Sequence, residues 1–353
     1  VIQIPGAREL AALPNGDLLV GTHESDVLVV HGAETDSARA QPLLHLPDSQ
    51  AAGVAYSARR RELFVGTENG VYSARYTAGS DRLQSDPVRI ARVRTGGIPA
   101  GSDGDVHTTT SVAFDDPSGT LYVSVGSSCN ACAEIDDTRA SIFAMRPDGS
   151  GVRKIARRIR NAIALAIDPQ TQALWAGNAG QDSLPFGHPY ELVDDVTSHR
   201  AVADYGWPDC AENHHAYVAG ASCANTVAPQ IELPAYSTII GATFYPREPR
   251  GRYAFPQTYR GGLFVTAHGS WHRTTLGAFA AQPMVAFVSM RDGKPATPVN
   301  WNDPHAQWTA FVSGFQSTFG RLGRPSGIAV GAEGSLFVAD DAAGAIYRVR
   351  PQR

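Results

Sequence analysis

Four places in this chain set a polar, chemically capable residue five or six positions ahead of an alanine in an apolar strand. Gln50 precedes Ala55, His107 precedes Ala113, the pair Arg160–Asn161 precedes Ala166, and Gly323–Arg324 precedes Ala329. Arg8 stands just before the first apolar strand and can join them. A histidine exchanges a proton near neutral pH, so His107 in "DVHTTTSVAF" offers acid–base work. A guanidinium pairs bidentately with carboxylate or phosphate, so Arg160, Arg324 and Arg8 point to a planar polyanionic ligand. Taken one at a time, each residue reads more simply: a histidine at a strand start is a turn or packing residue, and Arg160 a surface ion-pair partner. It is the recurrence at equivalent places that argues for a site.

Those places recur because the elements around them do. One phrase, turn residues followed by leucine, an apolar or aromatic residue and a small or β-branched one, appears six times. The copies are "NGDLLVGT", "RRELFVGT", "SGTLYVSVG", "TQALWAGNAG", "RGGLFVTAHG" and "EGSLFVADD", anchored by Leu18, Leu63, Leu121, Leu174, Leu263 and Leu336. Short alternating strands flank most copies, such as "SVAF" before and "SIFAMR" after, with Gly-, Pro- and Asp-rich turns and no helical stripe. Six such units predict an all-β chain folded as a six-bladed β-propeller spanning 1–353. A β-sandwich is the competing all-β architecture, but it does not explain six copies of one phrase. After "AIYRVR" only three residues remain, so blade six lacks a strand that the N-terminal "VIQIP" can supply, closing the ring. The innermost strand of each blade starts at one mouth of the channel, which would bring the polar residues together. The long interval between the fourth and fifth anchors predicts an inserted loop at about 205–235, held by a disulfide.

Composition narrows the function. The net charge of −4 argues against nucleic acid, which requires a basic footprint. Of 30 cationic side chains only Lys154 and Lys294 are lysines, leaving 28 arginines. The run "RKIARRIR" (153–160) alternates as an exposed outer strand does, and apolar runs such as "AIALAI" are too short to span a bilayer. Four cysteines form two close pairs, Cys129/Cys132 and Cys210/Cys223. A redox dithiol would want the motif opening a helix, and zinc a second knuckle, so two loop-closing disulfides are expected. That favours a periplasmic or secreted protein with its signal peptide removed. The acidic "ELVDDV" (191–196) is expected as a solvated turn, with a structural calcium site as the alternative.

Several segments together, "HTTTSVAF…GTLYVSVGSSCNAC", "MRPDGSG", "IRNAIALAIDPQTQALWAGNAGQD", "DYGWPDC", "HGSWHR" and "GRPSGIAVGAEGSLFVADDAAGAIYRV", carry a family resemblance from about residue 100 onward. The chain resembles the soluble pyrroloquinoline quinone (PQQ)-dependent aldose and sorbosone dehydrogenases. That resemblance implies oxidation of an aldose or sugar aldehyde, with PQQ and Ca²⁺ as cofactors and an external electron acceptor. It implies His107 as the base for the substrate hydroxyl and Arg160 beside it, with Arg160, Asn161 and Arg324 on the quinone. Gly180 and Gln181 would offer backbone carbonyls to the metal. His268, Trp271 and Arg273 would line the rim, where Arg8 and Gln50 also converge. Neither lysine stands at the mouth, so His268 or Arg273 replaces a cofactor lysine of some relatives. Ser326 stands where some relatives have a second arginine, and "HTTT" and "HGSWHR" differ from the commoner "HWTR" and "HGSWNR". Two other functions share this architecture: calcium-dependent lactone hydrolysis, which wants side-chain carboxylates around a central ion, and non-catalytic ligand binding.

Overall fold

All six anchoring leucines are fully buried in the second strand of a four-stranded antiparallel meander, and six such blades, one extended by a fifth strand, make up the fold of the described residues. The computed structural model describes residues 1–93, 107–270, 280–317 and 320–352. Blade 1 runs Ala7–Ala12, Leu18–Thr22, Asp26–His31, Arg39–His45, and blade 2 Gly53–Ser57, Glu62–Gly66, Gly70–Arg75, Val88–Arg92. Blade 3 is Thr110–Asp115, Thr120–Val125, Ser141–Met145, Arg153–Arg157, and blade 4 Ala164–Ile167, Leu174–Asn178, Glu191–Asp195, Ile231–Leu233. Blade 5 is Ile239–Phe244, Leu263–Ala267, Met284–Val288, Trp308–Val312. Blade 6 is Pro325–Val330, Leu336–Asp340 and Ala345–Val349, completed by Ile2–Gln3, which pairs Ile2 with Ile346 and Gln3 with Ala345. The ring is therefore closed by the N-terminal strand, which removes one exposed edge from blade 6.

The first strands of successive blades pack against one another all the way round, blade 6 returning to blade 1. Backbones come close there: a Cβ at Gly327 would sit 2.3 Å from the Arg8 carbonyl oxygen. Between the blades lie apolar clusters, for example Trp175, Ile231, Ile239 and Leu263 where blade 4 meets blade 5. Each fully buried Leu or Ile of this kind contributes roughly 1.5–3 kcal/mol. Register shifts occur at the start of the first strands of blades 1, 5 and 6, between Ala7 and Leu10, Ile239 and Gly241, and Pro325 and Ile328. Such irregularities re-aim side chains, and Arg8 sits in one of them. Arg8 thus lies inside its strand rather than ahead of it.

Two expectations change in detail. "ELVDDV" is no solvated turn: Glu191–Asp195 is the third strand of blade 4, with Glu191 and Asp194 buried. Its carboxylates are spent on internal partners; Asp194 accepts from Tyr205 Oη at 2.8 Å and from the Gln230 amide at 3.1 Å, and holds His199 at 2.9 Å. "RKIAR" is indeed an outer strand, Arg153–Arg157, but Ala203–Asp204 adds to it in parallel as a fifth strand. Both cysteine pairs are disulfides, Cys129–Cys132 and Cys210–Cys223. No helix among the described residues is long and apolar enough to cross a membrane.

Candidate active site

Where the first strands start and the second strands end, one cleft of about 580 Å³ opens. Arg8, Gln50, His107, Arg160, Asn161, Gly180, His268 and Arg324, drawn from all six blades or the loops between them, line it. Gln181 lines a smaller neighbouring cavity instead. Trp271 and Arg273 lie outside the described residues. Neither Lys154 nor Lys294 lines the cleft. Ser326 is buried beneath it, its hydroxyl donating to the Arg8 carbonyl at 3.2 Å.

His107 takes its orientation from the loop that follows the second strand of blade 3. Its Nδ1 lies 2.8 Å from Ser127 Oγ and 3.0 Å from the Ser127 carbonyl oxygen. The Ser127 hydroxyl donates its own proton to the Cys129 carbonyl at 2.8 Å, so it accepts from Nδ1–H. The proton is thereby placed on Nδ1, and Nε2 is left with its lone pair. Burial, then the charge of Arg160, pushes the imidazole down to about 3, with Arg139 adding to the effect, so the ring is neutral at physiological pH. A Cβ at Gly126 would stand 2.6 Å from both His107 Cβ and Asn161 Oδ1; only glycine lets these two side chains pack there.

Arg160, also buried, is held almost wholly by oxygens of the backbone. Nε donates to the Asn130 carbonyl at 3.0 Å, and Nη1 to the carbonyls of Ala179 at 3.1 Å and Gly180 at 2.7 Å. Nη2 reaches Asn130 Oδ1 at 2.9 Å and stands 3.5 Å from Asp182. Behind Gly180 lies Glu191, whose carboxylate accepts the Gly180 amide at 2.8 Å and the Thr238 amide at 3.2 Å. Burial pushes Glu191 up to about 7.

The opposite wall is organised by an acid. Asp341 binds Arg8 Nη1 at 2.6 Å and His268 Nε2 at 2.8 Å, with His23 at 3.5 Å. Burial alone would raise this carboxyl, but hydrogen bonds from His23 and His268 and the charges around it hold it well below the usual carboxylate range. His268 is pushed down to about 4, chiefly by burial, despite that carboxylate. Arg324 donates to the carbonyls of His268 at 3.1 Å and Gly269 at 2.9 Å, and burial lowers it to about 10. Arg8 Nε is buried with no hydrogen-bond partner among the described residues. Such an orphaned donor on a cation at a cleft wall fits an anionic ligand.

His23, Asp182, Tyr236 and Asp341 also line the cleft and were not singled out in the sequence, and Glu191, from the acidic run read as a solvated turn, lines it too. A signal for part of them exists. The fifth residue after each anchoring leucine is His23, Glu68, Gly126, Ala179, His268 and Asp341. In an antiparallel blade the second strand leaves at the mouth where the first begins.

Residues 206–352 match the TrAA12-like family model. Over that stretch the chain is TrAA12-like. The whole fold is that of a Trichoderma reesei carbohydrate-active enzyme of family AA12 (18% identical, 98% of this chain and 93% of that chain, TM-score 0.78). It is shared with the PQQ domain of a pyranose dehydrogenase from Coprinopsis cinerea in its holo form (16% identical, 99% and 94%, TM-score 0.79) and with a glucose dehydrogenase (17% identical, 96% and 94%, TM-score 0.67). A curated relative, an uncharacterised protein of Borreliella burgdorferi, is 24% identical over 253 residues, 70% of this chain and 62% of that relative's length. The resemblance seen in the sequence therefore holds in a TrAA12-like match over those C-terminal residues and in the propeller fold of the sugar dehydrogenases.

Proposed function

We propose that this TrAA12-like propeller oxidises an aldose or related sugar aldehyde, with PQQ and Ca²⁺ held in the six-blade cleft. The observation that carries the reading is the convergence of three arginines and two histidines held neutral by burial on a single cleft, with one buried guanidinium nitrogen, Arg8 Nε, left unpartnered among the described residues. A tricarboxylate fits that donor set. PQQ, when bound, supplies the two-electron acceptor, and calcium a hard Lewis acid. Arg8 and Arg324 would meet the carboxylates, and Arg160, whose N–H groups are engaged by Asn130, Ala179, Gly180 and Asp182, would place its positive charge beside the quinone oxygens, with Asn161, Gln50 and His268 near them. For the cation, Gly180 offers a carbonyl that already accepts from Arg160 but keeps a second lone pair, and Asp182 and Glu191 add carboxylates to that wall. Gln181 would need its carbonyl rather than its side chain to reach the metal.

His107 then acts as the proton acceptor. Its Nδ1 proton is committed to Ser127, so Nε2 is the nitrogen that takes the proton of a sugar hydroxyl. Burial, with the charge of Arg160 beside it, keeps the imidazole neutral before reaction. The two disulfides agree with a periplasmic or secreted location, and an external acceptor would reoxidise the cofactor.

The test is a titration of the purified apo-protein with PQQ and Ca²⁺ by visible absorbance, followed by an aldose panel with a dye acceptor. We expect binding and sugar-dependent dye reduction. In His107→Ala the rate should fall by about 10²–10⁴ with quinone binding retained, as loss of a positioned base requires. An unchanged rate in that variant would remove His107 from the chemistry, and absence of quinone binding would leave a propeller without this activity.

A further inference from the structure

Both residues on which the proposed chemistry depends lean on one short loop. Ser127 fixes the His107 proton, as described above, and its amide donates to the Arg160 carbonyl at 2.7 Å. Three residues on, Asn130 takes two hydrogen bonds from the Arg160 guanidinium, through its carbonyl and through its side-chain oxygen. The same side-chain oxygen accepts the Asp182 amide at 2.9 Å, and its NH₂ donates to the Asp182 carbonyl at 3.0 Å. Asn130 thus ties the blade-4 loop that carries Gly180 to the blade-3 loop that carries Ser127. The Asn130 carbonyl also accepts from Trp207 Nε1 at 3.1 Å.

Asn130 lies inside the ring closed by Cys129–Cys132. Cys129 is buried against Ala140 and Trp207, whereas Cys132 is half-buried and open to solvent on one side. The crosslink spans only two intervening residues, and Cys132 borders a second cavity beside Arg139 and Trp207 rather than the cleft itself. A short ring contributes little to global stability through chain entropy, since that effect grows with the length of the closed loop. Its local effect is to hold the Asn130 carbonyl and amide in one orientation.

We infer that the Cys129–Cys132 loop is a redox-sensitive positioning element, in which Asn130 sets Arg160 and opening of the disulfide releases it. The step is ordinary exchange: a dithiol attacks the half-buried Cys132 sulfur, the S–S bond breaks, and a second attack releases both cysteines as thiols. The two electrons come from the dithiol, which leaves as its own disulfide. The consequence for sugar oxidation rests on the function proposed above; the consequence for Arg160 does not.

The measurement is the rate of phenylglyoxal modification at Arg160, mapped by mass spectrometry in the apo-protein. Arg324, held by carbonyls on the far wall, is the internal control. In the oxidised protein Arg160 should react slowly. Opening the ring with dithiothreitol should accelerate Arg160 by roughly tenfold, the scale of one charge-assisted hydrogen bond, with Arg324 unchanged. The Cys129→Ser/Cys132→Ser variant should do the same without touching Cys210–Cys223. Asn130→Ala should match it, and Asn130→Asp, which keeps both acceptor oxygens, should accelerate Arg160 less. With PQQ and sugar present, kcat should fall more than KM rises in the same order. An Arg160 rate unchanged in the opened ring and in Asn130→Ala overturns the inference. Equal acceleration at Arg324 overturns it too, because the loop would then be loosening the whole mouth. Failure to bind PQQ would sink the proposed function and leave the Arg160 result standing.

Discussion

The cleft has two histidines pushed far below their ordinary value, and they are built in opposite ways. His107, at about 3, rests its Nδ1 on a serine hydroxyl and a carbonyl and has no carboxylate partner among the described residues. His268, at about 4, points Nε2 at Asp341, which it shares with Arg8 and His23. Burial leads in both, so a carboxylate partner does not by itself make a buried imidazole basic; one negative charge spread over three neighbours is too little. The difference lies in which nitrogen is spent. On the blade-3 and blade-4 wall the structure spends Nδ1 and leaves the Nε2 lone pair, and orients Arg160 chiefly with carbonyl dipoles, with the Asp182 carboxylate farther off at 3.5 Å. On the other wall Asp341 consumes Arg8 Nη1 and His268 Nε2, which makes that wall a pre-assembled ion cluster. On the proposed function, the first wall would react and the second would hold.

Removing Asp341 should break this contrast most visibly. Asp341→Ala leaves Arg8 buried beside His268 and Arg324 with its carboxylate gone, and breaking a buried pair by deleting one partner costs about 3–5 kcal/mol. Urea unfolding should show that loss, with His107 unaffected. A loss below about 1 kcal/mol would mean that the cluster is as well solvated as a surface ion pair, and the holding wall would have no special status.

A smaller effect sharpens the reacting wall. Gly126→Ala would push a methyl against His107 and the Asn161 amide, at 2.6 Å from each. Overpacking of this kind costs about 1–3 kcal/mol. On the proposed function the variant should lose sugar oxidation more than quinone binding, because it displaces His107 and only Asn161 among the quinone contacts, leaving Arg8 and Arg324 in place. Equal loss of both would show that the two walls move together.

Much of this was legible from the chain. The anchoring leucines marked the second strands, and the residues ahead of the alanines marked the mouth, because β-structure repeats its registers. Arg160, Asn161, His107 and Arg324 followed from that arithmetic alone. Asp341, His23 and Glu191 did not. Asp341 and His23 come at the far end of the second strand, five residues past the anchor, where the same arithmetic would have found them. Glu191 was hidden by its own neighbours: the three acidic positions in "ELVDDV" look solvated until Gly180 and Thr238 are seen to satisfy Glu191, and Tyr205 and Gln230 to satisfy Asp194, across sequence gaps that no local pattern records. The disulfide partners were readable from spacing, but the role of Asn130 inside one of them was not, since it depends on which carbonyls face Arg160.

The smallest expected effect is a null, and it bears on the contrast directly. An ordinary histidine titrates near 6.5. With its folded value lowered to about 3, the His107 imidazole should show no chemical-shift change between pH 5 and pH 8 in an NMR titration of the apo-protein, with its proton on Nδ1 throughout. The unfolded chain, in contrast, takes up that proton as pH falls below about 6.5. The folded state binds fewer protons in that window, so the stability attached to His107 is complete above the unfolded value and is lost as pH falls toward the folded one. Acid should therefore weaken the fold without first protonating His107, and an acid limb in the proposed sugar oxidation that comes from His107 should fall well below pH 5. A His107 signal moving with a midpoint near 6.5 would mean that water and counter-charge reach the ring freely, and would erase the distinction between the two walls.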